Sequence, residues 1–159
     1  MSTESLQASS LRRARTIADY QFGSGAGEAL FPDNAEFQYS TTKRIRYILT
    51  EGTRLATVRA SDGRLTLSIE GAERLWKFLP PPAYRVTVQE DVAPFVGKGK
   101  NAMAKHVLSA DGGILAGDEV LVVLPDDTLI ATGRAGLCGS EMVPFNYGVA
   151  VQVRSGRLV

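Results

Sequence analysis

Three consecutive prolines, Pro80-Pro81-Pro82, stand at the middle of a 159-residue chain. Proline fixes its own φ, offers no amide hydrogen and clashes with a helical turn, so no helix or central strand runs through such a triplet. The run therefore predicts a stiff, extended connector and the best domain boundary in the sequence. A chain of this size buries roughly 70% of its unfolded surface, enough for one ordinary domain or two small ones. It is far short of the roughly 250 residues of a (β/α)₈ barrel. With 44% hydrophobic and 22% charged residues it is neither disordered nor fibrous in composition.

Before the prolines the hydrophobic period changes once. Residues 1–9 are polar and read as a loose tail. Ser10 is placed to cap a helix carrying Leu11, Ala14, Ile17, Ala18 and Phe22 on its apolar side. Gly23 supplies the stop, and Glu28 to Phe31 reads as a second short helix. From Phe37 the period is two, with strands expected over 44–49, 53–59 and 64–69. Glu51-Gly52 and Asp62-Gly63 between them are tight-turn signals. Ala72, Leu75, Trp76 and Leu79 then trace one face of a short helix. Beyond the prolines the chain is mostly β: strands over 84–89, 119–124, 128–133 and 148–154, a helical turn over 93–96, and 105–109 left open between helix and strand. Many short strands in so few residues predict a small barrel. The fold class is α+β, with an N-terminal sheet domain over 10–79, the proline linker over 80–82 and a C-terminal barrel over 83–159.

The chemistry is limited by scarcity. One His and one Cys exclude a His/Cys metal cluster and an intramolecular disulfide, so no metal or other cofactor is expected. Gly23-Ser24-Gly25-Ala26-Gly27 follows a helix rather than a strand and lacks the Lys-Ser/Thr ending of a phosphate loop. Asp126-Asp127 follows Pro125 in a hairpin and reads as turn chemistry. Cys138 and His106 sit on different elements with no third residue to orient them, and Trp76 fits a packing role. No catalytic constellation stands out, which makes a binding module the first reading. The polar N-terminus lacks a signal-peptide core, and no apolar run approaches the ~20 residues of a membrane span. The expected setting is the cytoplasm.

Net charge is only +1, so nucleic-acid binding requires a local patch. Two acid-free runs qualify. Residues 92–110 hold Lys98, Lys100, Lys105 and His106, within a half (81–159) that has 7 basic and 8 acidic residues. Gly97 and Gly99 flank Lys98, so backbone amides there are expected to approach a phosphate, with Asn101 free to bond a sugar or base edge. Arg134 and Arg154 are expected at the border of this island. Residues 37–50 hold Lys43, Arg44 and Arg46; strand alternation predicts Arg44 and Arg46 on one face and Ile45 with Tyr47 on the other. The alternative for both runs is a solvated surface.

From Val92 onward the chain resembles a PUA domain, the RNA-binding module of pseudouridine synthases and archaeosine transglycosylases. Five pieces in order carry the likeness: Val92-Ala93-Pro94-Phe95-Val96, Gly99-Lys100-Asn101-Ala102-Met103-Ala104-Lys105-His106-Val107, Gly117-Asp118-Glu119-Val120-Leu121-Val122-Val123, Ala131-Thr132-Gly133-Arg134-Ala135 and Gly148-Val149-Ala150-Val151-Gln152-Val153-Arg154. The first half is similar to the small α+β domain preceding PUA in archaeosine tRNA-guanine transglycosylase, through Ile17-Ala18-Asp19-Tyr20-Gln21-Phe22-Gly23, Ala29-Leu30-Phe31-Pro32 and Ser61-Asp62-Gly63. Nothing resembles that enzyme's catalytic barrel. The resemblance implies a tRNA-binding, non-catalytic subunit of a split transglycosylase. Its PUA surface would hold the acceptor stem and 3′ end through Gly97, Lys98, Gly99, Lys100, Asn101, Lys105, His106, Arg134 and Arg154, with Lys43, Arg44 and Arg46 as a secondary contact. A catalytic subunit is the implied protein partner, and self-association is left open. A protein-interaction adaptor with little RNA affinity is the competing reading.

Overall fold

Ser5 opens the first helix, accepting from the Ala8 amide at 3.1 Å. Ser10, the expected cap, is instead buried inside the helix and shares a 2.6 Å hydrogen bond with the Tyr39 hydroxyl. The computed structural model describes residues 5–158, and in it α1 spans Leu6–Phe22. The loose tail expected over 1–9 is thus corrected over 5–9; residues 1–4 lie outside the described residues. Ala14, Ala18 and Phe22 repeat at i, i+4, i+8 and are buried. Gly23, at φ 117°, ends the helix.

The rest of the first unit follows in chain order. α2 (Ala26–Leu30) leads to an antiparallel meander of β1 (Glu36–Tyr39), β2 (Ile45–Thr50), β3 (Thr53–Val58) and β4 (Leu65–Leu67), paired in that order, and then to α3 (Ile69–Phe78). Glu51 and Gly52 both take positive φ, 49° and 79°, the pair a two-residue primed turn requires. Ile48, Leu55, Leu65 and Leu67 are buried, as are Leu30, Phe31, Ala72 and Leu75 from the helices. A methyl group on Gly71 would stand 2.1 Å from the Leu55 carbonyl oxygen, so only glycine lets α3 lie this close to β3. The outer strand β4 is finished by a side chain: Gln21 donates to the Leu65 carbonyl at 3.0 Å and accepts from the Leu65 amide at 2.8 Å.

One compact unit ends at Phe78 and the second begins at Leu79. The prolines do not form an extended connector. They lack amide hydrogens, but their carbonyls accept: Ala83 donates to Pro80 at 3.0 Å and Arg85 to Pro82 at 2.9 Å, folding the segment into a turn.

The second unit contains β5 (Arg85–Val88), α4 (Ala93–Val96), β6 (Ala102–Met103), β7 (Val107–Ala110), β8 (Glu119–Val123), β9 (Leu129–Ala135), α5 (Gly139–Phe145) and β10 (Val149–Gly156). Its sheet order is β6-β10-β9-β8-β5-β7, with only β5 and β8 parallel. The outermost strands, β6 and β7, are joined by the three-residue turn Ala104–His106. The covalent chain itself therefore bridges the margins of a nearly closed barrel, filled by Val86, Val88, Val120, Val122, Ala131 and Val151 among others. The ambiguous stretch 105–109 resolves into that turn followed by a strand. No expectation covered α5, which is capped by Cys138 and Glu141 and has Pro144 inside it.

Candidate nucleic-acid interface

The lysines of the second unit are placed by β10. At one end Leu158 donates to the Gly97 carbonyl at 2.8 Å, and a Cβ on Gly156 would lie 2.2 Å from that same oxygen. Asn101 Oδ1 then accepts from the Val153 amide at 3.1 Å, and Ala102 and Met103 pair with Val151 and Val149. Finally Ala104 donates to Gly148 at 2.8 Å. Residues 99 to 104 thus run antiparallel along the whole strand, about 17 Å at roughly 3.3 Å per residue. Lys98 and Lys100 stand at the Gly156 end; Lys105 and His106 stand at the Gly148 end. The three lysines are exposed and His106 is half-buried. The expected island is a line.

The hydrogen bonding bears on three further expectations. The amides of Gly97, Lys98, Gly99 and Lys100 donate to Ala93, Phe95, Val96 and Phe95 carbonyls at 2.8–3.1 Å, so no amide cradle for phosphate forms there. Gly97 has right-handed helical φ and packs beneath Leu158; Gly99, at φ 102°, makes the turn. Asn101 spends its side-chain oxygen docking this segment on β10. Arg154 is also spent: its guanidinium pairs with Glu119, whose side chain is only 3% exposed. Leaving that carboxylate buried without its cation would be costly, so Arg154 has a structural task in the free protein. Arg134, opposite Glu119 and Gln152 on neighbouring strands, remains exposed.

The first unit gathers a different set. The register of β2 against β1 shifts between Tyr47 and Ile45, and the bulge brings Tyr47 to the side of Arg46 rather than opposite it. Arg46 Nε donates to the Tyr47 hydroxyl at 3.1 Å, and its guanidinium carbon lies 5.4 Å from the ring centroid; that of Arg54 lies at 4.8 Å. The Arg46 hydrogen bond, then the Arg46 charge and, more weakly, the Arg54 charge hold the phenol below its ordinary pKa. Arg44 and Arg46 also line a cavity of about 410 Å³ together with Arg59, Ser40 and Thr42. Lys43 sits at φ 64° on the exposed turn from Ser40 to Arg44 and is not among its lining residues.

Sequence reading missed Arg54, Arg59 and the placement of Tyr47. A signal for Arg54 was present, because the two-residue turn at Glu51-Gly52 fixes the pairing of Leu49 with Arg54. It also missed Phe145 and Tyr147, exposed by 55% and 82% beside the Gly148–Ala104 hydrogen bond, since no element was expected there. Among the described residues, no three His, Cys, Asp or Glu side chains are grouped to hold a metal ion, and no helix is long and apolar enough to cross a membrane. The Cys138 thiol caps α5.

Residues 12–82 match the family described as the patch-forming domain C2 of tRNA-guanine transglycosylase, and residues 84–157 match the PUA domain. The chain belongs to these two domain families. Its C2–PUA pair is 50% identical over 147 residues to the tRNA-guanine(15) transglycosylase of Methanothermobacter thermautotrophicus, covering 92% of this chain and 22% of that protein. The enzyme of the same name from Pyrococcus furiosus is 54% identical over 140 residues, 88% of this chain and 24% of the relative. The chain thus spans about a quarter of the length of these curated relatives, matching their C-terminal half. Among solved structures, a hypothetical protein from Pyrococcus horikoshii OT3 superposes with TM-score 0.71 at 22% identity, covering 93% of this chain and 90% of that one. A PUA domain from Aeropyrum pernix K1 gives 0.66 at 18% identity, covering 97% and 84%. Both likenesses show the fold.

Proposed function

We propose that this C2–PUA chain binds tRNA in the service of modification, as the non-catalytic part of an archaeosine transglycosylase. Guanine exchange would be performed by a catalytic domain that these 159 residues do not contain. The observation that carries the reading is the identity of about half over nearly the whole chain with proteins named tRNA-guanine(15) transglycosylase. The PUA domain would hold the acceptor stem and the 3′ end along β10. Lys98 and Lys100 would meet phosphates at one end, with Lys105 and His106 at the other and Arg134 on the adjoining strand. A linear array suits a backbone followed along its length, and its strength comes from counterion release rather than base reading. The cytoplasm is the compartment that fits such a role.

The test is a titration with intact tRNA and with tRNA trimmed at its 3′ terminus, each at two salt concentrations. Tighter binding of the intact form and a marked loss with salt are expected. Replacing Lys98, Lys100 and Lys105 with Glu should weaken binding and flatten the salt dependence; unchanged affinity would remove the β10 line from the site. Absence of any tRNA binding, together with nuclease-resistant capture of a protein partner, would favour the adaptor reading.

A further inference from the structure

The two ends of the C2 meander are finished differently. Helix α1 crosses the sheet from β1, where Gln7 donates to the Ala35 carbonyl at 3.0 Å, to β4, where Gln21 closes the edge at Leu65. β1 has no strand on its outer side. Ser40 sends its amide inward to Arg44 at 2.8 Å, whereas Ala35 gives its carbonyl to Gln7 rather than to β2. Residues of an antiparallel strand alternate between bonding the neighbouring strand and facing away from it. The amides and carbonyls of Phe37 and Tyr39 therefore line the outer edge. Neither backbone makes a hydrogen bond across that edge among the described residues. We propose that two copies of this chain pair antiparallel through β1, joining two four-stranded meanders into one eight-stranded sheet. The pairing is independent of the tRNA-binding reading.

The residues of β1 fit their own copy in one register. With Gln38 of each chain on the two-fold axis, Phe37 lies opposite Tyr39 of the second copy, and Tyr39 opposite its Phe37. These are the residues whose peptide groups point outward, so each pair exchanges two N–H···O bonds. Phe37 and Tyr39 are half-buried and share one face of the strand, where aromatic cross-strand pairs are favourable. Gln38, exposed on the other face, meets Gln38 of the second copy, amide to amide. Glu36 falls opposite Ser40, so no like charges oppose each other. Edge strands that avoid company carry lysine, proline or a bulge. Residues 35–40 contain no lysine or proline, and the bulge of this pair lies on β2, where Arg46 is the extra residue. β1 itself stays regular.

So short a pairing makes a weak dimer, with a dissociation constant between about 1 μM and 1 mM. Sedimentation equilibrium of the full chain without RNA, from about 10 μM to 1 mM, measures it. Gln38→Lys puts two cations directly opposite each other and should weaken association at least tenfold. Gln38 is exposed, and a thermal melt checks that the variant folds. Register is read by cross-linking in a Cys138→Ser background, which removes the chain's one thiol. With oxidised glutathione as oxidant, Gln38→Cys should give a covalent dimer, because opposed residues of a non-bonded pair have Cα atoms about 4.5 Å apart. Glu36→Cys, on the same face, should cross-link at least tenfold more slowly, its two copies lying roughly 13 Å apart along the strands. A wild type still monomeric at about 1 mM overturns the proposal, as does a Gln38→Lys variant that associates as tightly as wild type. Equal cross-linking at positions 36 and 38 overturns the register and with it the self-pairing. None of these readings uses RNA, so a failed tRNA titration leaves them standing.

Discussion

The two basic surfaces of this protein are assembled in opposite ways. In both domains the cations fall within a short stretch of sequence, residues 98–106 in one and 44–54 in the other; extended chain draws the first set apart, and a hairpin gathers the second. The cause is the geometry of extended chain. Each residue of a strand advances roughly 3.3 Å, so an acid-free run laid along β10 becomes a line with Lys98 and Lys105 near its ends. A hairpin does the reverse, bringing Arg54 on β3 to the ring of Tyr47 on β2. The residues also differ in kind. Lysines on the line are single point charges on mobile stems, whereas the C2 arginines are oriented by an aromatic plate.

The largest test of this contrast breaks the line's foundation. Gly156→Ala places a methyl group 2.2 Å from the Gly97 carbonyl oxygen, which should cost about 2–3 kcal/mol by chemical denaturation. It should also displace Lys98 and Lys100 and weaken tRNA binding, while the Tyr47 cluster stays intact. Arg154→Ala removes the partner of buried Glu119 and should cost about 1–3 kcal/mol. Because the Arg154 guanidinium is already paired with Glu119, the salt slope of tRNA binding should move less than in the Lys98→Gln/Lys100→Gln variant; a full unit of change from Arg154→Ala would place it in the interface. The double lysine variant itself should lower the slope by about 1.5 units with little change in stability.

The smallest effects are titrations. Tyr47 should ionise below the usual tyrosine range by ultraviolet difference absorbance, and Arg46→Gln, which removes the main cause, should raise it. Asp62 is held below the usual carboxylate range chiefly by its hydrogen bond from Arg59, with the Arg64 amide second. The folded form therefore binds fewer protons than the unfolded form around the ordinary carboxylate pKa. Its stabilising contribution is complete above that value and fades as pH falls through the lowered folded one. A carbon-13 carboxyl titration in which Arg59→Gln leaves Asp62 unmoved would contradict this account.

What the sequence made legible was local. The turn at Glu51-Gly52, the end of α1 at Gly23 and the β8–β9 hairpin around Asp127, at φ 68°, all follow from residues whose backbone preferences act within a few positions. The family likeness supplied the rest of the architecture. Illegible parts depended on partners far along the chain. Ser10 looks like a cap as much as Ser5 does, and only contact with Tyr39 decides between them. Helix α5 was hidden by Pro144 and by an unusual cysteine cap. In the candidate site, the lysines and arginines were visible as residue types. The bulge that turns Tyr47 toward Arg46, and the carboxylate that claims Arg154, are properties of strand register that no window of sequence displays.

The side-chain amide of Gln21, bonded both ways to Leu65, stands in for a missing fifth strand. To a newly made copy of the same protein, the β4 flank of the C2 meander presents an occupied seat at residue 65 rather than an open template. A single glutamine on a helix thus helps keep crowded chains from stitching themselves together along that edge.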